Sequence, residues 1–82
     1  MKQLIYFGAE WCGPCKMIKP QIQKLQNEIT IVFIDVDVSP HAAQRHNVKN
    51  VPCIVLLENN EEKAKLVGNR ITVQAVRDLY NK

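Results

Sequence analysis

The chain has 82 residues, 46% hydrophobic and 23% charged, a mix that excludes a disordered or fibrous chain and suits one small globular domain spanning residues 1–82. The formal net charge is only +3, with Lys and Arg scattered among Asp and Glu. No basic stripe of the kind that follows nucleic-acid phosphates is present, and no nucleic-acid partner is expected. No apolar run approaches the roughly 18 residues of a membrane helix, and Leu4–Phe7 is far shorter than the roughly 7–15 apolar residues of a secretory leader; the expectation is a cytoplasmic, monomeric protein with no membrane partner.

In chain order, Lys2–Gly8 is an apolar, aromatic-rich run closed by glycine and predicts a buried strand. Ala9–Pro14 is a turn, and a helix follows from near Cys15. Met17, Ile18, Ile22, Leu25 and Ile29 recur at 3–4 spacing and predict its apolar face, with Pro20 expected to kink it by removing a backbone donor. Thr30–Val38 is β-branched and predicts a second buried strand. Ser39-Pro40 reads as N-cap and first residue of a short helix over His41–Asn47, with Ala42 and Ala43 inward. Val51–Glu58 is a third strand opened by Pro52. Asn59-Asn60 is a hairpin turn of positive φ. Glu61–Val67 is a polar, antiparallel edge strand ended by Gly68. Thr72 caps a last helix carrying Val73, Val76, Leu79 and Tyr80 inward. The order βαβαββα gives an α/β fold with a four-stranded mixed sheet flanked by three helices.

Three cysteines, Cys12, Cys15 and Cys53, are too few and odd in number for a secreted disulfide framework. A Cys12–Cys15 bridge would close too short a loop to restrain the unfolded chain. Trp11-Cys12-Gly13-Pro14-Cys15 instead stands where a strand ends and a helix begins. The unpaired N–H groups and dipole of a helix start favour a thiolate there, and the thiolate is the form that attacks disulfides. The second cysteine, one turn further in, can resolve a mixed disulfide. Gly13 permits close approach and Pro14 suits the helix start. A zinc site is the competing reading of the pair, but structural zinc needs four ligands, and His41 and His46 read as solvated side chains.

The segment Ala9-Glu10-Trp11-Cys12-Gly13-Pro14-Cys15-Lys16-Met17 resembles the active-site segment of thioredoxins. Pro20, Val51-Pro52 and Val67-Gly68 fall at family-like spacing over nearly the whole chain. The resemblance implies a minimal thioredoxin-like fold and a thiol–disulfide oxidoreductase that reduces protein disulfides. Cys12 would be nucleophile and Cys15 resolver, with no cofactor beyond their disulfide. It also implies a cis peptide at Pro52, and a docking surface made by Trp11, Gly13, Pro14, Val51, Pro52 and Gly68, where the Val51 backbone pairs with substrate as an added strand. The expected partners are disulfide-containing proteins and a thioredoxin reductase-like electron donor, with glutathione as the alternative donor.

The chain departs from the family pattern in lacking the extra N-terminal strand and helix. Tyr6 stands where thioredoxins bury a carboxylate, and Phe33 where they carry a lysine. Losing both charges together is coherent, since either one buried alone is costly. Water, Glu10 and the Tyr6 hydroxyl are then the candidates to take the proton of Cys15. Cys53 replaces a threonine after the cis proline, and the resemblance puts it near Cys12. It reads as an inert filler, as a redox modulator, or as a ligand in a metal or iron–sulfur binding module built on Cys12, Cys15 and Cys53.

Overall fold

Side chains of a strand alternate between the faces of its sheet, and the central strand of this protein is apolar on both. In the computed structural model, which describes residues 1–81, β1 (Lys2–Gly8) turns Leu4 and Tyr6 to one face and Ile5 and Phe7 to the other. It is followed by α1 (Gly13–Gln23), β2 (Ile31–Asp35), α2 (Pro40–Arg45), β3 (Cys53–Glu58), β4 (Glu61–Val67) and α3 (Val73–Asn81). The described strands form one four-stranded sheet in the order β2-β1-β3-β4. β1 and β2 are parallel, while β3 runs antiparallel to both β1 and β4. The sequence therefore predicted the element order, the mixed sheet and the edge position of β4.

One core layer packs Leu4, Tyr6, Ile54 and Leu56 against Ile22 of α1 and Val76 of α3. The other packs Ile5, Phe7, Cys53, Val55 and Leu57 against Ala43 of α2. Burying each large apolar side chain contributes about 1.5–3 kcal/mol, so the double-sided burial of β1 and β3 is what holds the helices on both faces. The β1–α1–β2 crossover brings the C-terminal ends of two parallel strands to the same end of the sheet, where Gly8 is paired with Asp35.

Several boundaries differ from the sequence reading, each for a local reason. β2 stops at Asp35, not Val38, because the Asp35 side chain takes the Asp37 N–H at 2.8 Å and its carbonyl takes the N–H groups of Val38 and Ser39. This Asx-type turn overrides the β-branched run and leaves Val38 78% exposed. α1 begins at Gly13, with Cys12 as its N-cap, and continues through Pro20 before tightening into a 3-10 turn at Lys24–Asn27. Leu25 and Ile29 are buried beyond the helix, whereas Met17 faces solvent. α2 covers Pro40–Arg45, and Ser39 holds its N-cap position without a side-chain bond. β3 begins at Cys53 rather than Val51, directly after the cis Val51-Pro52 peptide. The Asn59-Asn60 turn has φ of 54° and 69°, and Thr72 Oγ1 accepts the Ala75 N–H at 3.0 Å, both as the sequence predicts.

Candidate active site

The loop leaving β1 is tied down by a bond from Cys12 N to Ala9 O and delivers Cys12 to the start of α1. As N-cap, Cys12 presents its Sγ to the Cys15 N–H at 3.2 Å. Helical spacing sets Cys15 one turn on, with Cα atoms 5.3 Å apart, and the two sulfurs are joined in a disulfide. Pro14 falls in the first turn, where its missing donor costs nothing. Cys12 and Cys15 pack with Ala9, Val36 and Val51 and are nearly enclosed.

Val51 lies on the far side of this cluster, its carbonyl oxygen 3.7 Å from Cys12 Sγ. The peptide from Val51 to Pro52 is cis, and the Gly68 N–H donates to Pro52 O at 2.9 Å. Gly68 has a φ of 62°, the left-handed conformation that favours glycine. Gly13 is different. A Cβ there would meet nothing within 4 Å, so no close approach within the chain requires this glycine.

Trp11 is 69% exposed and donates from Nε1 to Asp37 Oδ2 at 2.8 Å, which fixes its ring beside the disulfide. A groove of about 220 Å³ runs between Trp11, Val36, Val48, Lys49, Asn50 and Val51. Asp37, Val36 and the Val48–Asn50 wall are site residues that the sequence reading missed. The available signal was the parallel crossover, which forces the C-terminal end of β2 up beside the loop that carries Cys12.

On the opposite side of Cys15, Tyr6 is 1% exposed and its ring packs on Phe33 with centroids 5.3 Å apart. Its hydroxyl donates to Cys15 O at 3.4 Å. Burial pushes the phenol up to about 12, so at neutral pH Tyr6 is a neutral donor, which removes it from the candidate proton acceptors for Cys15. Lys19 covers the Phe33 ring, with Nζ 5.9 Å from its centroid.

Cys53 belongs to a different buried cluster from Cys12 and Cys15, although Val36 and Val51 pack against both. It packs with Phe7, Val55 and Ala43 in the α2-side layer, and burial pushes its thiol up, with Lys65 opposing and Glu62 adding to the shift. Alternation along β3 sets this face, because Cys53 pairs with Phe7 and points away from the side that carries α1. Among the described residues no three His, Cys, Asp or Glu side chains are grouped to hold a metal ion. His46 is half-buried rather than fully solvated, with Nδ1 3.4 Å from Glu62 Oε1, while His41 is exposed.

The family model described as Thioredoxin matches residues 1–80. The chain is 41% identical over 68 residues to the thioredoxin of Chlamydia trachomatis serovar D, covering 79% of this chain and 67% of that protein. It is 32% identical over 80 residues to a bifunctional thioredoxin reductase/thioredoxin of Mycobacterium leprae, covering 93% of this chain and 18% of that one. A mutant thioredoxin from Halobacterium salinarum superposes with a TM-score of 0.89 at 33% identity, over 98% of this chain and 72% of the other. A Cys-Gly-Pro-Cys disulfide at the start of α1, facing a cis proline, on a sheet that superposes this closely leaves one assignment: the chain belongs to the thioredoxin family and is a thiol–disulfide oxidoreductase.

Proposed function

We propose that residues 1–82 act as one monomeric domain that reduces disulfides of cytoplasmic proteins, with Cys12 as nucleophile and Cys15 as resolving thiol. The observation that carries this reading is Cys12 Sγ standing at the N-cap of α1, disulfide-bonded to Cys15 one turn along. After reduction, the N–H groups of the first turn and the helix dipole favour a Cys12 thiolate. That thiolate attacks one sulfur of the substrate disulfide and the other sulfur leaves as thiolate. Cys15 then attacks Cys12, restoring the Cys12–Cys15 disulfide and releasing the second substrate thiol.

Trp11, Gly13, Pro14, Val51, Pro52 and Gly68 form the docking surface in this reading. The half-buried Val51 offers its backbone to an extended peptide, and the empty space above Gly13 leaves room for that peptide to approach. The bifunctional relative from Mycobacterium leprae supports a thioredoxin reductase-type flavoprotein as electron donor over glutathione. The test is insulin reduction followed by turbidity, first with dithiothreitol and then with either donor system. Wild-type protein accelerates the reaction and Cys12→Ser matches the uncatalysed rate, while equal rates for the two proteins overturn the role of Cys12.

A further inference from the structure

Cys15 is 3% exposed, yet it must lose a proton before it can attack Cys12, and the proton needs a route out. A cleft of about 280 Å³ has Cys15 in its wall. Its floor is the α1-side face of the sheet, where Tyr6 and Gly8 of β1 lie beside Phe33 and Asp35 of β2. Gly8 keeps this space open, since a Cβ there would lie 2.8 Å from the Tyr6 ring. The cleft has room for several waters.

Asp35 is half-buried, shares the Phe33 face of β2 and lines the cleft. One of its oxygens is fixed by the Asp37 N–H at 2.8 Å, and Asp37 is in turn fixed by Trp11. The other charged groups around the cleft are Glu10 from the β1–α1 loop and Lys16 and Lys19 from α1, all exposed. Tyr6 is the remaining titratable group, and it stays protonated at neutral pH. A carboxylate anchored in the sheet is better placed to keep one position than the exposed Glu10 side chain.

We propose that Asp35 accepts, through water in this cleft, the proton that Cys15 loses as it attacks Cys12. The proposal rests on the Cys12–Cys15 roles given above. In the step, the Cys15 S–H bond breaks and its proton passes by water to the Asp35 carboxylate. The Cys15 sulfur electron pair forms the Cys12–Cys15 bond, and the bond from Cys12 to the substrate sulfur breaks with its pair leaving on the substrate thiolate. Asp35 afterwards returns the proton to solvent.

The test is stopped-flow reaction of the reduced chain with an aromatic disulfide that releases a coloured thiolate, in a Cys53→Ala background that removes the third thiol. The first thiolate released reports attack by Cys12 and the second reports attack by Cys15. Asp35→Asn retains the oxygen that caps the Asp37 N–H, so the turn survives. Asp35→Asn is expected to leave the first release unchanged and to slow the second about a hundredfold near neutral pH, the lower end of what a positioned acid or base contributes. The deficit closes toward alkaline pH as hydroxide takes over, and Asp35→Glu restores most of the rate. An unchanged second release, a slowing of equal size at every pH, or the same pH-dependent deficit in Glu10→Gln overturns the proposal. Absence of the first release in the parent protein would instead remove the Cys12 reading beneath it.

Discussion

Replacing Gly8 with alanine inserts one methyl group where the sheet, Tyr6 and the active-site loop meet. The new Cβ would lie 2.8 Å from Tyr6 Cε1 and 3.2 Å from its hydroxyl. Tyr6 cannot swing aside as the end of a long chain could, because its ring is 1% exposed and packed on Phe33. Overpacking of this kind costs about 1–3 kcal/mol. The gain from a less flexible unfolded chain offsets only about 0.4–1 kcal/mol of that. A net loss of about 1–2 kcal/mol follows, to be compared with a total stability of about 4–12 kcal/mol for a chain of this length. Thermal unfolding by circular dichroism should show Tm falling by about 4–8 °C per kcal/mol. Pairing Gly8→Ala with Tyr6→Leu, which removes the ring edge, should recover part of the loss through a coupling of about 1 kcal/mol. Gly8→Ala at wild-type stability, or strict additivity in the double mutant, would refute the close approach as the reason for this glycine.

The remaining predictions concern buried groups and pH. Tyr6 has its phenol raised from 10.0 to about 12 in the folded state, so the stability involved is fully present below pH 10 and is lost as pH climbs toward 12. The loss amounts to about 2–3 kcal/mol by linkage. Urea midpoints measured across this range should fall more steeply for wild type than for Tyr6→Phe, and parallel curves would contradict the buried, neutral phenol. Cys53 is 1% exposed with its thiol pushed up by burial. In the oxidised protein it should escape iodoacetamide until denaturant is added, and prompt labelling under native conditions, read by mass spectrometry, would contradict its place beneath α2.

Much of the site was legible in the sequence because its chemistry is local. Cys12 to Cys15 is one helical turn, so a strand end, a helix start and the motif between them determine which thiol caps the helix and which lies behind it. The same holds for Pro14 in the first turn, the Asn59-Asn60 hairpin and the Thr72 cap, each set by interactions within a few residues. Strand and helix periodicity likewise determined the element order, because each apolar stripe needs a partner layer. What only the tertiary structure decided involves residues far apart in sequence. Trp11 meets Asp37, and Tyr6 meets Phe33 and the Cys15 carbonyl, because a parallel crossover sets the ends of β1 and β2 side by side. Cys53 faces away from α1 because the antiparallel register pairs it with Phe7, whose side chain lies on the α2 side of the sheet. Local spacing cannot show which face of a strand a single side chain takes until the strand's partners are known, and that face decides whether a group meets the disulfide or only fills the core.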